Sequence, residues 1–153
     1  MRRIAVFSCV VAWVGCAKPE SQPATDTTAM GATVGATISL ADLAGTWNMR
    51  NMPETGDSTL VQYQVMATGE TTGWMLHLPN RQPMPLRVMV EGDSLTTEAG
   101  QFESVLRPGV QVTTTRSVLR LQEGRLVGTF VARYKTTGPD SVLRGRVEGT
   151  RVP

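Results

Sequence analysis

From Ile38 onward, apolar and polar residues alternate in short runs separated by turn formers, so the period is two residues and not the 3.6 of a helix. Residues 46–52 form the first run. After the Pro53-Glu54-Thr55-Gly56-Asp57 turn comes 59–66, where Val61, Tyr63 and Val65 share one face and Gln62 and Gln64 the other. In 73–78, Trp74, Leu76 and Leu78 share a face. Pro79 to Pro85 is a proline-interrupted link of the kind found at sheet edges and corners. Leu86, Val88 and Val90 then alternate up to Glu91-Gly92-Asp93. Residues 94–97 and 102–106 read as a pair of short strands around Ala99-Gly100, followed by an Arg107-Pro108-Gly109 turn. Two longer strands, 112–121 and 125–135, meet at Gln122-Glu123-Gly124. After Gly138-Pro139-Asp140, residues 141–151 close the series. The one helical signal is a single turn over 39–44, with Ser39 placed to cap it.

The pattern predicts an all-β domain of eight or nine antiparallel strands at meander spacing. An open sheet of that many strands leaves two edges and one apolar face exposed. Closure into a small up-and-down β-barrel removes both, and a two-sheet β-sandwich is the alternative. The run of near-neighbour hairpins favours the barrel.

The first 37 residues follow a different pattern. Arg2 and Arg3 precede an apolar or small-residue run, 4–15, which has the length of a signal-peptide core and is too short to span a bilayer. It ends in Trp13-Val14-Gly15-Cys16, which resembles the lipobox of bacterial lipoproteins, with Trp13 where that family usually has an aliphatic residue. The resemblance implies a signal peptide over 1–15, cleavage before Cys16 and a diacylglycerol on its thiol. It also implies residence in the cell envelope, at the outer membrane where there is one, because Ala17 and not Asp follows the cysteine. Several acyl chains on one residue give durable anchoring. Residues 16–37 then form a tether of Ala, Thr, Ser, Pro, Gly and Gln. With almost no large apolar side chain it cannot offset its ordering entropy and is expected to stay flexible. The folded domain is expected over 38–153.

This division changes the charge balance. The whole chain has 15 basic and 13 acidic residues, and removal of Arg2 and Arg3 leaves 13 of each. The mature chain is thus formally neutral, which argues against a nucleic-acid partner. Cys9 would leave with the signal, so no disulfide is expected.

The start of the first strand reads Leu40-Ala41-Asp42-Leu43-Ala44-Gly45-Thr46-Trp47. A helical turn leading into Gly-x-Trp resembles the opening of the lipocalin-like (calycin) barrels. The resemblance implies that Trp47 plugs one barrel end, under an arginine from the last strand, with Arg144 or Arg146 in that part. Residues 45–153 are shorter than a typical lipocalin, so a compact lipocalin-like domain is expected. Read from the residues alone, Trp47 is a large core side chain on a half-buried strand.

Little in the sequence points to catalysis. His77 is the only histidine and alternates away from Leu76 and Leu78, so it is expected to face solvent, outside any nucleophile–base arrangement. Zinc needs more His and Cys than the mature chain has, and calcium needs a denser Asp/Asn loop. Asp57, Glu70, Glu91, Asp93, Glu123 and Asp140 fall in or beside turns, where acids are ordinary solvated residues. No metal, cofactor or catalytic residue is expected.

Arg116, Arg120, Arg133, Arg144 and Arg146 are the speculative ligand-binding residues. If their strands are neighbours, they could form an interior guanidinium cluster able to hold a carboxylate. The opposite parity of Leu119 and Leu121 to Arg116 and Arg120 favours a solvated outer face instead. Met49, Met52, Met66, Met75, Met84 and Met89 suit either ordinary gap filling or a soft wall for an apolar ligand. The expected function is a lipid-anchored, non-catalytic barrel binding a small apolar or amphiphilic molecule. The alternative is an accessory envelope protein acting through protein–protein contacts.

Overall fold

A computed structural model describes residues 37–153. The signal peptide, Cys16 and residues 16–36 of the tether lie outside the described residues. No described helix is long and apolar enough to cross a membrane.

The domain is a closed antiparallel barrel of eight strands with one short extra strand. A helical turn, α1 (Leu40–Leu43), leads into β1 (Gly45–Pro53), followed by β2 (Val61–Ala67), β3 (Met75–His77), β4 (Met84–Glu91), β5 (Ser94–Ala99), β6 (Phe102–Glu103), β7 (Gln111–Gln122), β8 (Arg125–Tyr134) and β9 (Val142–Arg151). Each strand pairs with its neighbours in meander order, β5 pairs with β7, and β9 returns to β1. No sheet edge then runs the length of the wall, as the alternation of short strands requires.

Residues 102–106 depart from the sequence expectation. Ala99-Gly100 is not a hairpin turn: β5 and β6 lie end to end on the same edge of β7, and Ala99↔Thr115 and Phe102↔Val112 belong to one register. Only Phe102 and Glu103 are strand, and the reversal falls at 104–110. Local polar bonds place it there. Ser104 Oγ accepts from the Leu106 and Arg107 amides (3.1 and 3.0 Å), and Glu103 Oε1 accepts from the Gly109 amide (3.0 Å). Side chains of this type offer the backbone an alternative to the ladder, and that sets the turn.

Inward positions carry the core: Trp47 and Met49 on β1, Val65 on β2, Leu76 on β3, Leu86 and Val88 on β4, Leu95 on β5, Leu119 on β7, Leu126 and Phe130 on β8, and Val147 on β9. A Cβ at Gly145, also on the inner face, would stand 2.1 Å from the Met52 carbonyl oxygen and 2.6 Å from the Phe130 ring. Phe130 fills the barrel there because β9 has no side chain at that point. The loop after β1 turns back over the outer wall. Arg146 Nη2 donates to the Gly56 carbonyl and to Asp57 Oδ1 (2.9 Å), and Met52, outward by parity, is fully buried.

Candidate binding site

The up-and-down order gives the barrel two distinct ends. One carries the chain entering β1, the β2–β3, β4–β5 and β7–β8 turns, and the end of β9. The other carries residues 54–60, 78–83, 104–110 and 135–141.

The first end is shut. The Ile38 amide donates to the Gly92 carbonyl (3.0 Å), and Ala44 N–H to the Ala41 carbonyl (3.3 Å), so α1 is drawn against this end. Trp47 is fully buried and its Nε1 donates to the Leu43 carbonyl (2.8 Å). Arg151 lies over the Trp47 ring, 4.6 Å from its centroid, and its guanidinium donates to the Asp42 and Ala44 carbonyls. Gly45 makes room for this: its φ is +132°, and a Cβ there would approach Arg151 Nη1 to 2.9 Å. The arginine over Trp47 is therefore Arg151, not Arg144 or Arg146. Alternation carried the signal. Arg144 and Arg146 share the outward parity of Glu148, whereas Arg151 shares the inward parity of Val147.

The second end opens on the interior. An apolar space runs from Leu126 and Leu119 past Phe130 and Tyr134 to Phe102, Val105 and Leu106 at the mouth. Counted out to the mouth it spans about 850 Å³, but most of that is interstices and open solvent, and the cavity proper is about 80 Å³. At about 30 Å³ per molecule, that is room for two or three waters or one small apolar group. One side is polar. Tyr63 Oη donates to Asn51 Oδ1 (3.1 Å), and Thr97 and Ser117 are cross-strand partners on β5 and β7 that both line the space. Burial pushes the Tyr63 phenol well above its usual range, so it stays a neutral donor.

Arginines tie the loops around the mouth. Arg107 lies over the Tyr134 ring at 4.5 Å and donates to the Asp140 carbonyl (2.6 Å), and Arg81 donates to the Glu103 carbonyl (2.6 Å). Val105 and Leu106 stay 38% and 39% exposed, which leaves apolar surface at the entrance. Neither residue stands out in the sequence, which reads both as part of a short strand over 102–106, whereas the structure places them in the turn.

The five arginines singled out from the sequence are not gathered inside. Arg116, Arg120, Arg133 and Arg144 are exposed, and Arg146 is half-buried on the outer face. Arg120 pairs with Asp93 (3.0 Å) and Arg146 with Asp57 (2.9 Å). Arg116 and Arg144 flank Val131 in one cross-strand row without forming a binding fork. Of the six methionines, only Met49 lines the cavity, while Met66 and Met89 are 48% and 45% exposed. His77 does face outward, but it is half-buried and its Nε2 is enclosed with no hydrogen-bond partner among the described residues. The turn acids Asp57, Glu70, Glu91, Asp93, Glu123 and Asp140 are all exposed, and no group of His, Cys, Asp and Glu suited to a metal occurs among the described residues.

Set against known protein families, curated proteins and solved structures, the chain matches none.

Proposed function

We propose that the chain is a lipid-anchored envelope protein, held by Cys16, whose lipocalin-like barrel receives a small apolar or amphiphilic group without catalysing a reaction. The observation that carries this reading is the difference between the two ends: one is shut by α1, Trp47 and Arg151, and the other opens an apolar interior past exposed Val105 and Leu106. The Trp47–Arg151 pair under a helical turn also supports the lipocalin-like assignment. Cavity size bounds the ligand. Pockets that enclose drug-sized molecules run to roughly 300–1,000 Å³. A cavity of about 80 Å³ takes a small molecule or only the tip of a longer chain. The inner polar pairs, Asn51 with Tyr63 and Thr97 with Ser117, suit a guest with one hydroxyl or carbonyl.

The test is native mass spectrometry of residues 38–153 after incubation with short-chain fatty alcohols and acids. A one-to-one adduct in the wild type that is lost when Ala99→Phe fills the cavity is the expected result. A bare polypeptide mass with every probe would sink the proposal.

That outcome would favour a second reading, an accessory protein acting through its outer surface. Met89, Thr96, Val118 and Thr129 form one outer cross-strand row, and Met89 and Val118 are 45% and 40% exposed.

A further inference from the structure

The barrel wall is uneven where β2 meets β3. β3 has only three residues, and they pair with Gln64, Val65 and Met66 alone. The chain then leaves the wall at Leu78 and Pro79, so the edge of β2 at 61–63 has no strand beside it. A groove of about 720 Å³ lies there, lined by outward polar residues and, where the wall is open, by Met49, Tyr63 and Leu78, which also line the interior; it is well within the range of small-molecule sites.

Its floor is set by strand parity. Outward residues of β9, β1, β2 and β3 stand in two cross-strand rows. One runs Thr150, Asn48, Gln64, His77, and the other Glu148, Arg50, Gln62. Arg125 of β8 borders both. Strand backbones hold these groups in place, and several are already oriented. Gln64 Nε2 donates to Asn48 Oδ1 (2.9 Å), while Arg50 Nη2 and Arg125 Nη2 both donate to Glu148 Oε2 (2.8 and 2.9 Å). Both guanidinium groups thus converge on one carboxylate oxygen, and Glu148 Oε1 makes no hydrogen bond among the described residues.

The chemistry is mixed in a particular way. Amides supply a donor and an acceptor side by side, guanidinium groups supply donors, and Glu148 supplies an acceptor. Two arginines against one carboxylate leave the groove a single formal positive charge, and both guanidinium groups are already engaged by Glu148, which is a poor match for a multiply charged ligand. Vicinal hydroxyls, each both donor and acceptor, match such a set of planar groups. Leu78 and Pro79 add apolar surface at one side for the C–H face of a ring.

We propose that this groove is a carbohydrate-binding site that takes a mono- or disaccharide unit through Asn48, Gln62, Arg125 and Glu148. It does not depend on the interior receiving a ligand.

The experiment is a printed array of mono- to tetrasaccharides probed with the full chain, followed by titration of the retained saccharide. The expected result is retention of a subset of sugars, at least tenfold weaker binding by Asn48→Ala/Gln62→Ala, and unchanged binding by Arg116→Ala, which alters the opposite wall. Melting curves establish that each variant is folded. If the double variant does not fold, the exposed substitution Gln62→Trp, which fills the groove, is expected to weaken binding by the same factor. No retention of any saccharide would overturn the proposal. So would retention that the groove variants leave intact, or a preference for extended peptides over sugars, which would mark the free β2 edge as a strand-addition site.

Discussion

The two ends of the barrel use the same contact for different purposes. At each, an arginine lies over an aromatic ring at nearly the same distance, Arg151 over Trp47 at 4.6 Å and Arg107 over Tyr134 at 4.5 Å. At the shut end the ring is fully buried, its Nε1–H is bonded, and the guanidinium is also held by the Asp42 and Ala44 carbonyls. At the open end the arginine belongs to a turn, holds one carbonyl of the 139–141 turn, and sits beside exposed Val105 and Leu106. A cation over a ring contributes about 0.5–1 kcal/mol where water reaches it, and water reaches both arginines, Arg151 exposed and Arg107 half-buried. The difference between the ends lies elsewhere: the shut end adds the bonded indole and the carbonyls that hold Arg151, and the open end has apolar Val105 and Leu106 at its surface.

The largest effect belongs to Trp47. Truncation to Ala removes the barrel-end plug and strands the Leu43 carbonyl, and is expected to cost about 3–5 kcal/mol. Chemical denaturation with a barrel-wide probe such as far-UV circular dichroism measures it. A loss below about 1 kcal/mol would mean that α1 and Arg151 close the end without the tryptophan, and the contrast between the ends would fail.

Gly45 sharpens the same side. At φ +132° a side chain is strained, and its Cβ would press on Arg151 at 2.9 Å. Gly45→Ala is expected to cost about 1–3 kcal/mol. The double variant Gly45→Ala/Arg151→Ala should lose less than the sum of the single variants, because the clash goes with the arginine. Strict additivity would show that the cost lies in the backbone alone.

How much of this contrast the sequence carries differs between the ends. The shut end was largely legible, since alternation places Trp47 inside and residues 39–44 read as a helical turn. Only the arginine was misassigned, through parity that Val147 could have fixed. The open end was not legible. Its key residues, Val105, Leu106 and Arg107, lie in a turn whose position depends on Ser104 and Glu103 bonding backbone amides, and no periodicity reports that. The outer groove was still less visible. It exists because β3 stops after three residues, a tertiary outcome of the chain leaving at Pro79, and its groups read singly as ordinary outward polar positions.

At the open end, Arg107→Ala is expected to change global stability by less than about 1 kcal/mol, as befits a partly exposed contact. It should, however, speed hydrogen exchange at the Leu106 and Arg107-position amides, which are bonded to Ser104 Oγ. Exchange at the Trp47 indole should not move. If the indole responds equally, the ends are coupled through the wall and are not independent.

The smallest effect tests that wall directly. Glu148 stands on β9 between the ends, and the Arg50 hydrogen bond, assisted by the charges of Arg50, Arg125 and Arg146, holds its carboxyl below the usual carboxylate range. Its folded value is thus lower than its unfolded one, near 4.3. The stabilisation is complete above the unfolded value and disappears as pH falls through the folded value. Melting temperatures taken from pH 6 down to pH 3 should fall more steeply in the wild type than in Glu148→Gln, which has no proton to gain. At pH 6 that variant should be less stable by under about 1 kcal/mol, since water screens the ion pairs on the outer face. Asp93, held low chiefly by its hydrogen bond to Ser94, titrates in both proteins and cancels from the comparison. Because Glu148 touches neither plug nor mouth, its protonation should lower the melting temperature without changing the order in which the ends loosen. If acid exposed the Trp47 indole before the 104–110 amides, the shut end would owe its stability to the wall pair and not to Arg151.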